Sequence, residues 1–150
     1  MKKIIFLTFI LLCIFFTDMK AQNYEYKIVT SIESIVPAGL GRSRLIENND
    51  SRDFEMLSDD SQGREKDSSK RKENKIDNFR ETNLLNFFSL AGINFQNIAS
   101  NDALLASMIN TYGADGWELA FVTSGVESDS GKGDGQGIFI TRFVFKRLTQ

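Results

Sequence analysis

The chain has 150 residues, with 18 basic and 20 acidic side chains, one cysteine and no histidine. That balance excludes a general nucleic-acid binder, which needs a basic surface to release phosphate counterions. It also leaves no imidazole for catalysis or metal binding, and only Cys13 as a thiol.

The N-terminus reads as an export signal. Lys2 and Lys3 precede an apolar run from Ile4 to Phe16, and Met19-Lys20-Ala21 then offers a small residue for cleavage before Gln22. Charge, apolar core and small residue in that order form the secretory pattern. At a rise of 1.5 Å per residue the run reaches only about 20 Å, short of the roughly 30 Å hydrocarbon core, so a membrane anchor is the weaker reading. Cys13 lies inside the apolar core after Leu12, the wrong place for a lipid anchor. Cleavage after Ala21 removes Lys2, Lys3, Lys20, Asp18 and the cysteine. The 18 basic and 20 acidic residues then become 15 and 19, a net charge of −4. The expected mature chain, residues 22–150, is one domain in the periplasm or cell exterior. It touches a membrane only through the transient signal peptide.

Residues 24–36 alternate with period two, predicting a half-buried strand. Tyr24, Tyr26, Ile28 and Ile32 form its apolar face, and Glu25, Lys27, Ser31 and Glu33 the other, with Val29 among them. Pro37 ends it. A glycine-rich turn follows, Ala38-Gly-Leu-Gly-Arg-Ser-Arg44. Residues 48–75 are mostly Ser, Asp, Glu, Lys and Arg and are expected to form a mobile insertion, because they bury too little to offset ordering entropy. Residues 83–91 repeat polar-apolar-apolar three times, which fits a short buried helix closed by Gly92 better than a strand, the two readings left open by the pattern. Ser100 is the expected N-cap of the main helix. Its apolar stripe is Leu104, Leu105, Met108, Ile109 and Tyr112, and Gly113 is its expected C′ residue. A strand runs from Trp117 to about Thr123, with Trp117, Leu119 and Phe121 on one face. A polar loop from Gly125 to Gly137 leads to a last strand, 138–147, apolar on both faces and therefore central. The expected fold is α+β: a small antiparallel sheet in a β-α-β-β order, with one or two helices packed on one face.

Chemistry-bearing motifs are sparse. In Gly39-Leu-Gly-Arg-Ser-Arg44, the backbone at Gly39 and Gly41 can approach an anion that Arg42 and Arg44 clamp. A tight turn with internally paired arginines is the plainer reading. The loop from Gly125 to Gly137 has neither phosphate-loop nor calcium-loop spacing. Among carboxylates, Glu33, Asp115, Glu118 and Glu127 fall in ordered regions, but no spacing singles out an acid–base pair. Tyr24, Tyr26, Trp117 and Phe143 read first as core and second as an aromatic platform. No metal site or cofactor is expected.

Tyr24-Glu-Tyr-Lys-Ile-Val29, Gly113-Ala-Asp-Gly-Trp-Glu-Leu119 and Phe145-Lys-Arg147, in that order, resemble a family of small bacterial domains of unknown function. The resemblance implies a β-α-β-β layout, spans about 40 residues and brings no catalytic residues. Asp115 stands where that family often has Glu. The expected function is a non-enzymatic interaction or small-ligand-binding module. The alternatives are an anion-binding module using the Gly39–Arg44 loop, a carboxylate-based hydrolase and a structural homo-oligomer. The partner classes left open are a protein, a small anionic ligand or a second copy of the chain.

Overall fold

The structure, a computed structural model, describes residues 22–34, 43–57, 74–127 and 138–149. The expected leader with its cut at Ala21, the turn residues Gly39, Gly41 and Arg42, the middle of the charged insertion and the loop 128–137 lie outside them. In chain order the elements are β1 (Tyr24–Ser34), β2 (Arg44–Asn48), α1 (Phe54–Leu57), β3 (Phe79–Asn83), β4 (Phe88–Ser89), β5 (Gly92–Ile93), α2 (Phe95–Ala114), β6 (Glu118–Glu127) and β7 (Ile138–Leu148). This is an α+β fold. A five-stranded antiparallel sheet has the order β3-β2-β1-β7-β6, and β4 and β5 form a separate two-stranded ribbon.

The core lies between one face of the sheet and α2. Val29, Leu45, Leu84, Phe143 and Phe145 pack with Met108 and Tyr112, flanked by Leu104, Leu105, Ile109, Trp117 and Leu119. The predicted helix stripe is the part of α2 that supplies this core. The predicted burial of β1 is inverted. Register places Val29 opposite Phe143 and Lys27 opposite Phe145, so the mixed face of β1 turns to the helix. Val29 is fully buried, while Tyr26 and Ile28 on the other face are 63% and 51% exposed. Period two identifies the two faces of a strand but not which one the helix covers. Val144 and Phe121 belong to this second face.

The boundaries of α2 differ from expectation at both ends. Asn94, not Ser100, is the N-cap: its side chain accepts from the Asn97 backbone N–H at 3.2 Å. The Ser100 hydroxyl instead donates back to the Gln96 carbonyl at 2.9 Å. At the C-terminus Gly116, not Gly113, is the C′ residue, with a positive φ of +82°. Gly116 N–H donates to the Gly113 carbonyl at 3.1 Å and Trp117 N–H to the Tyr112 carbonyl at 2.9 Å. These two bonds make a Schellman closure, in which a left-handed glycine lets the chain reverse and bond the last helical carbonyls. The Gly-Trp-Glu-Leu element is thus a helix stop, and the residue after the glycine packs against the core.

The grouping of Trp117, Leu119 and Phe121 on one face fails because β6 carries a bulge. Leu119 pairs with Phe145, but Phe121 pairs with Val144, leaving Ala120 as the extra residue. One extra residue reverses the parity of everything after it, and Phe121 turns away from the helix, 57% exposed. The same β6 contains Gly125 and Val126, so the polar loop starts later than predicted.

No helix forms over 83–91. Asn83 ends β3, Leu84 is buried, and Phe88–Ser89 pair with Gly92–Ile93 in the small ribbon. The backbone bonds that a helix would make internally are supplied by asparagines of α2. Asn101 accepts from the Leu85 N–H and donates to the Leu85 carbonyl, both at 2.8 Å. Asn97 donates to the Asn86 carbonyl at 2.7 Å. The expected insertion 48–75 is described only at its two ends. Asp53 accepts from the Glu55 N–H at 2.9 Å to open α1, and Arg52 donates to the Lys75 carbonyl at 2.7 Å. Residues 58–73 lie outside the description.

Candidate functional site

Inward-facing positions of β2 alternate, so Leu45 and Glu47 both point under α2, 2% and 6% exposed. A carboxylate in that position needs partners. The register places Arg80 of β3 directly opposite. The Arg80 Nε donates to Glu47 Oε1 at 2.9 Å and Nη2 to Oε2 at 2.5 Å, a bidentate pair. The Tyr112 hydroxyl donates to Oε2 from the helix side. One buried carboxylate therefore joins two strands to the last turn of α2.

Burial, then the hydrogen bond and charge of Glu47, push the Tyr112 phenol up to about 12 from 10.0. The hydrogen bond and charge of Glu47 likewise raise the Arg80 guanidinium above its ordinary value. The phenol's shift has a sign that stability measurements can read. Below pH 10 the hydroxyl keeps its proton whether the chain is folded or not, and its contribution is complete. As pH rises from 10 to about 12, the unfolded chain ionises first, so stability falls, and the contribution is gone above the folded value. The expected loss is on the order of 2 kcal/mol. Urea denaturation between pH 8 and 12 checks it: Tyr112→Phe should flatten the decline relative to the unaltered protein.

Beside this cluster is a cleft of about 540 Å³ between the C-terminal half of α2 and strands β1 to β3. Leu45, Leu104 and Met108 supply its apolar floor, while Lys27, Glu47 and Arg80 supply charge. Lys27 Nζ sits 4.8 Å from the Tyr112 ring centroid and 5.4 Å from that of Trp117. Arg147 Cζ also lies 4.4 Å from the Trp117 centroid, but Arg147 is bonded to Glu25 at 2.7 Å. A larger cleft of about 750 Å³ lies at the ends of β1, β6 and β7. Four of its charges pair internally, Arg147 with Glu25 and Lys146 with Glu118 at 3.4 Å, and it has no buried polar anchor among the described residues. The smaller cleft is the better candidate because a buried, fully bonded polar group fixes its wall.

The sequence-derived candidates do not gather here. Gly39, Gly41 and Arg42 lie outside the described residues. Arg44 is on β2 opposite Ile32, on the sheet face away from Lys27, and is spent on Glu81 at 3.3 Å and the Ser43 carbonyl at 3.1 Å. Glu33 accepts from Asn101 at 3.2 Å, and Asp115 caps α2. The aromatics do not share an edge: Phe143 and Trp117 lie on the helix side, Tyr24 and Tyr26 on the other. Glu47, Arg80, Tyr112 and Lys27 escaped sequence reasoning as a site. The available signal was a glutamate at an alternate position beside the apolar pair Leu45-Ile46.

No group of three or more potential metal ligands occurs among the described residues. No described helix is long and apolar enough to cross a membrane. Fold and cleft define an α+β domain whose five-stranded antiparallel sheet is covered by its long helix on one side and carries a charged cleft beneath that helix. No protein-family model matches the chain, and no curated protein or solved structure does.

Proposed function

We propose that the chain is an exported, non-enzymatic binding module, with the cleft beside Glu47, Arg80 and Tyr112 as its ligand site. The observation that carries this reading is the combination of an apolar floor with a buried carboxylate, held by a bidentate ion pair, in the wall. Such a site is preorganised for binding, yet its carboxylate has both oxygens committed and is not free to act as a base. The other ion-paired glutamates point the same way: Glu25, Glu81 and Glu118 are matched to Arg147, Arg44 and Lys146. The secretory pattern at residues 1–21 supports export. The β-α-β-β order of the resembled family is part of the same reading, with β1, α2, β6 and β7 as its elements and β2 and β3 added beside β1.

The test is a titration of isotope-labelled protein with small apolar fragments, followed by backbone amide shifts. The expected result is saturable movement of amides in 104–112 and at Leu45 and Glu47, with no turnover of glycan, ester or phosphate substrates. Turnover that disappears when one glutamate is changed to glutamine would overturn the reading.

A further inference from the structure

We infer that the ligand of this cleft is a small organic monoanion, a carboxylate on a compact apolar body, received by Lys27. The inference rests on the cleft being the binding site. Lys27 is half-buried on the helix side of β1, where burial of an ammonium requires a compensating charge. None of the described carboxylates lies within ion-pair distance of it: Glu25 is spent on Arg147 and Glu47 on Arg80, and Asp115, which also lines the cleft, does not reach it. Its neighbours are instead the faces of Tyr112 and Trp117. Aromatic faces attract a cation but replace only part of its lost hydration. All three ammonium N–H donors thus lack a described oxygen acceptor, and Lys27 lines the cleft.

The rest of the lining sets the ligand's shape and charge. Arg80 uses Nε and Nη2 on Glu47, while its side chain is 64% exposed at the same cleft. Its remaining guanidinium edge can share the anion. Leu45 and Met108 beneath are apolar and buried, and methionine adapts to irregular shapes. The volume of about 540 Å³ suits a small molecule rather than a chain. Glu47 and Asp115 also line the cleft. Their negative charge disfavours a dianion such as phosphate and leaves a monocarboxylate as the chemistry best matched to one unpaired ammonium.

The experiment titrates the protein with three probes, followed by amide shifts and calorimetry: 3-phenylpropionate, its neutral amide, and inorganic phosphate. The carboxylate should bind at the cleft roughly tenfold tighter than the amide, the scale of one charge-assisted hydrogen bond. Phosphate should bind more weakly than the carboxylate. Lys27→Met keeps the aliphatic stem against the rings and should abolish the preference for the carboxylate, while Lys27→Arg should retain it. Equal binding of amide and carboxylate, or an unchanged preference in Lys27→Met, overturns the inference and leaves the cleft as a binding site for neutral ligands. Phosphate binding as tightly as the carboxylate overturns the monoanion assignment. Failure of every probe to saturate at the cleft overturns both this inference and the reading beneath it.

Discussion

Replacing Phe145 by alanine is expected to destabilise the protein by about 3–5 kcal/mol, the largest effect of any single change considered. Phe145 is fully buried on the central strand β7, between Lys27 of β1 and Leu119 of β6. Its ring lies 4.9 Å from that of Tyr112, so it is also where α2 rests on the sheet. Truncation removes the transfer free energy of an aromatic ring and leaves a cavity that strands on either side cannot collapse into. A domain of this size has a total stability of only about 5–15 kcal/mol. Urea denaturation should show the midpoint falling steeply with little change in slope. Phe145→Leu, which refills much of the space, should recover more than half of the loss. A cost below roughly 1 kcal/mol for the alanine variant would mean that α2 does not rest on this residue.

The second large effect is expected at Arg80. Arg80→Ala leaves the Glu47 carboxylate under α2 with only the Tyr112 hydroxyl as a partner. Removing one partner of a buried pair is costly because the other charge remains without its counterion. Glu47 has a side-chain exposure of 8%, but that of Arg80 is 64%, so water reaches one side of the pair. The expected cost is therefore roughly 2 kcal/mol, below the range for fully buried pairs. A double-mutant cycle separates the charge from the packing. Glu47→Gln in the Arg80→Ala background should restore part of the stability, since a neutral amide needs no counter-charge. If the double variant is less stable than Arg80→Ala alone, the loss lies in packing of the arginine stem and not in the unpaired carboxylate.

These two residues also show how unevenly the sequence exposes its structure. Apolar residues on both faces of 138–147 mark an interior strand rather than an edge, and β7 does lie between β1 and β6. Nothing similar marks Arg80. It lies between a polar insertion and an apolar segment, and its role depends on facing Glu47 across a strand pair separated by 33 positions in the chain. Period-two and period-three patterns record local chemistry only. That is why the polar-apolar-apolar repeat of 83–91 reads as a helix but forms a strand end and a small ribbon. Asn97 and Asn101, supplied from α2, provide the bonds that make the non-helical backbone affordable.

By itself, the sequence determined the α+β class, the apolar stripe of the long helix and the central position of the last strand, because each follows from residues adjacent or one turn apart. It also showed the absence of any histidine, a property of composition alone. Only the tertiary structure decided which face of β1 is core, because burial there depends on the register with β7 and not on the strand's own alternation. It alone decided that Gly116, and not Gly113, reverses the chain, since the two bonds that close the helix depend on where α2 actually ends. It alone brought Lys27, Glu47, Arg80 and Tyr112 to one cleft, because a site assembled from three strands and a helix has no signature in any stretch of chain short enough to read as a motif.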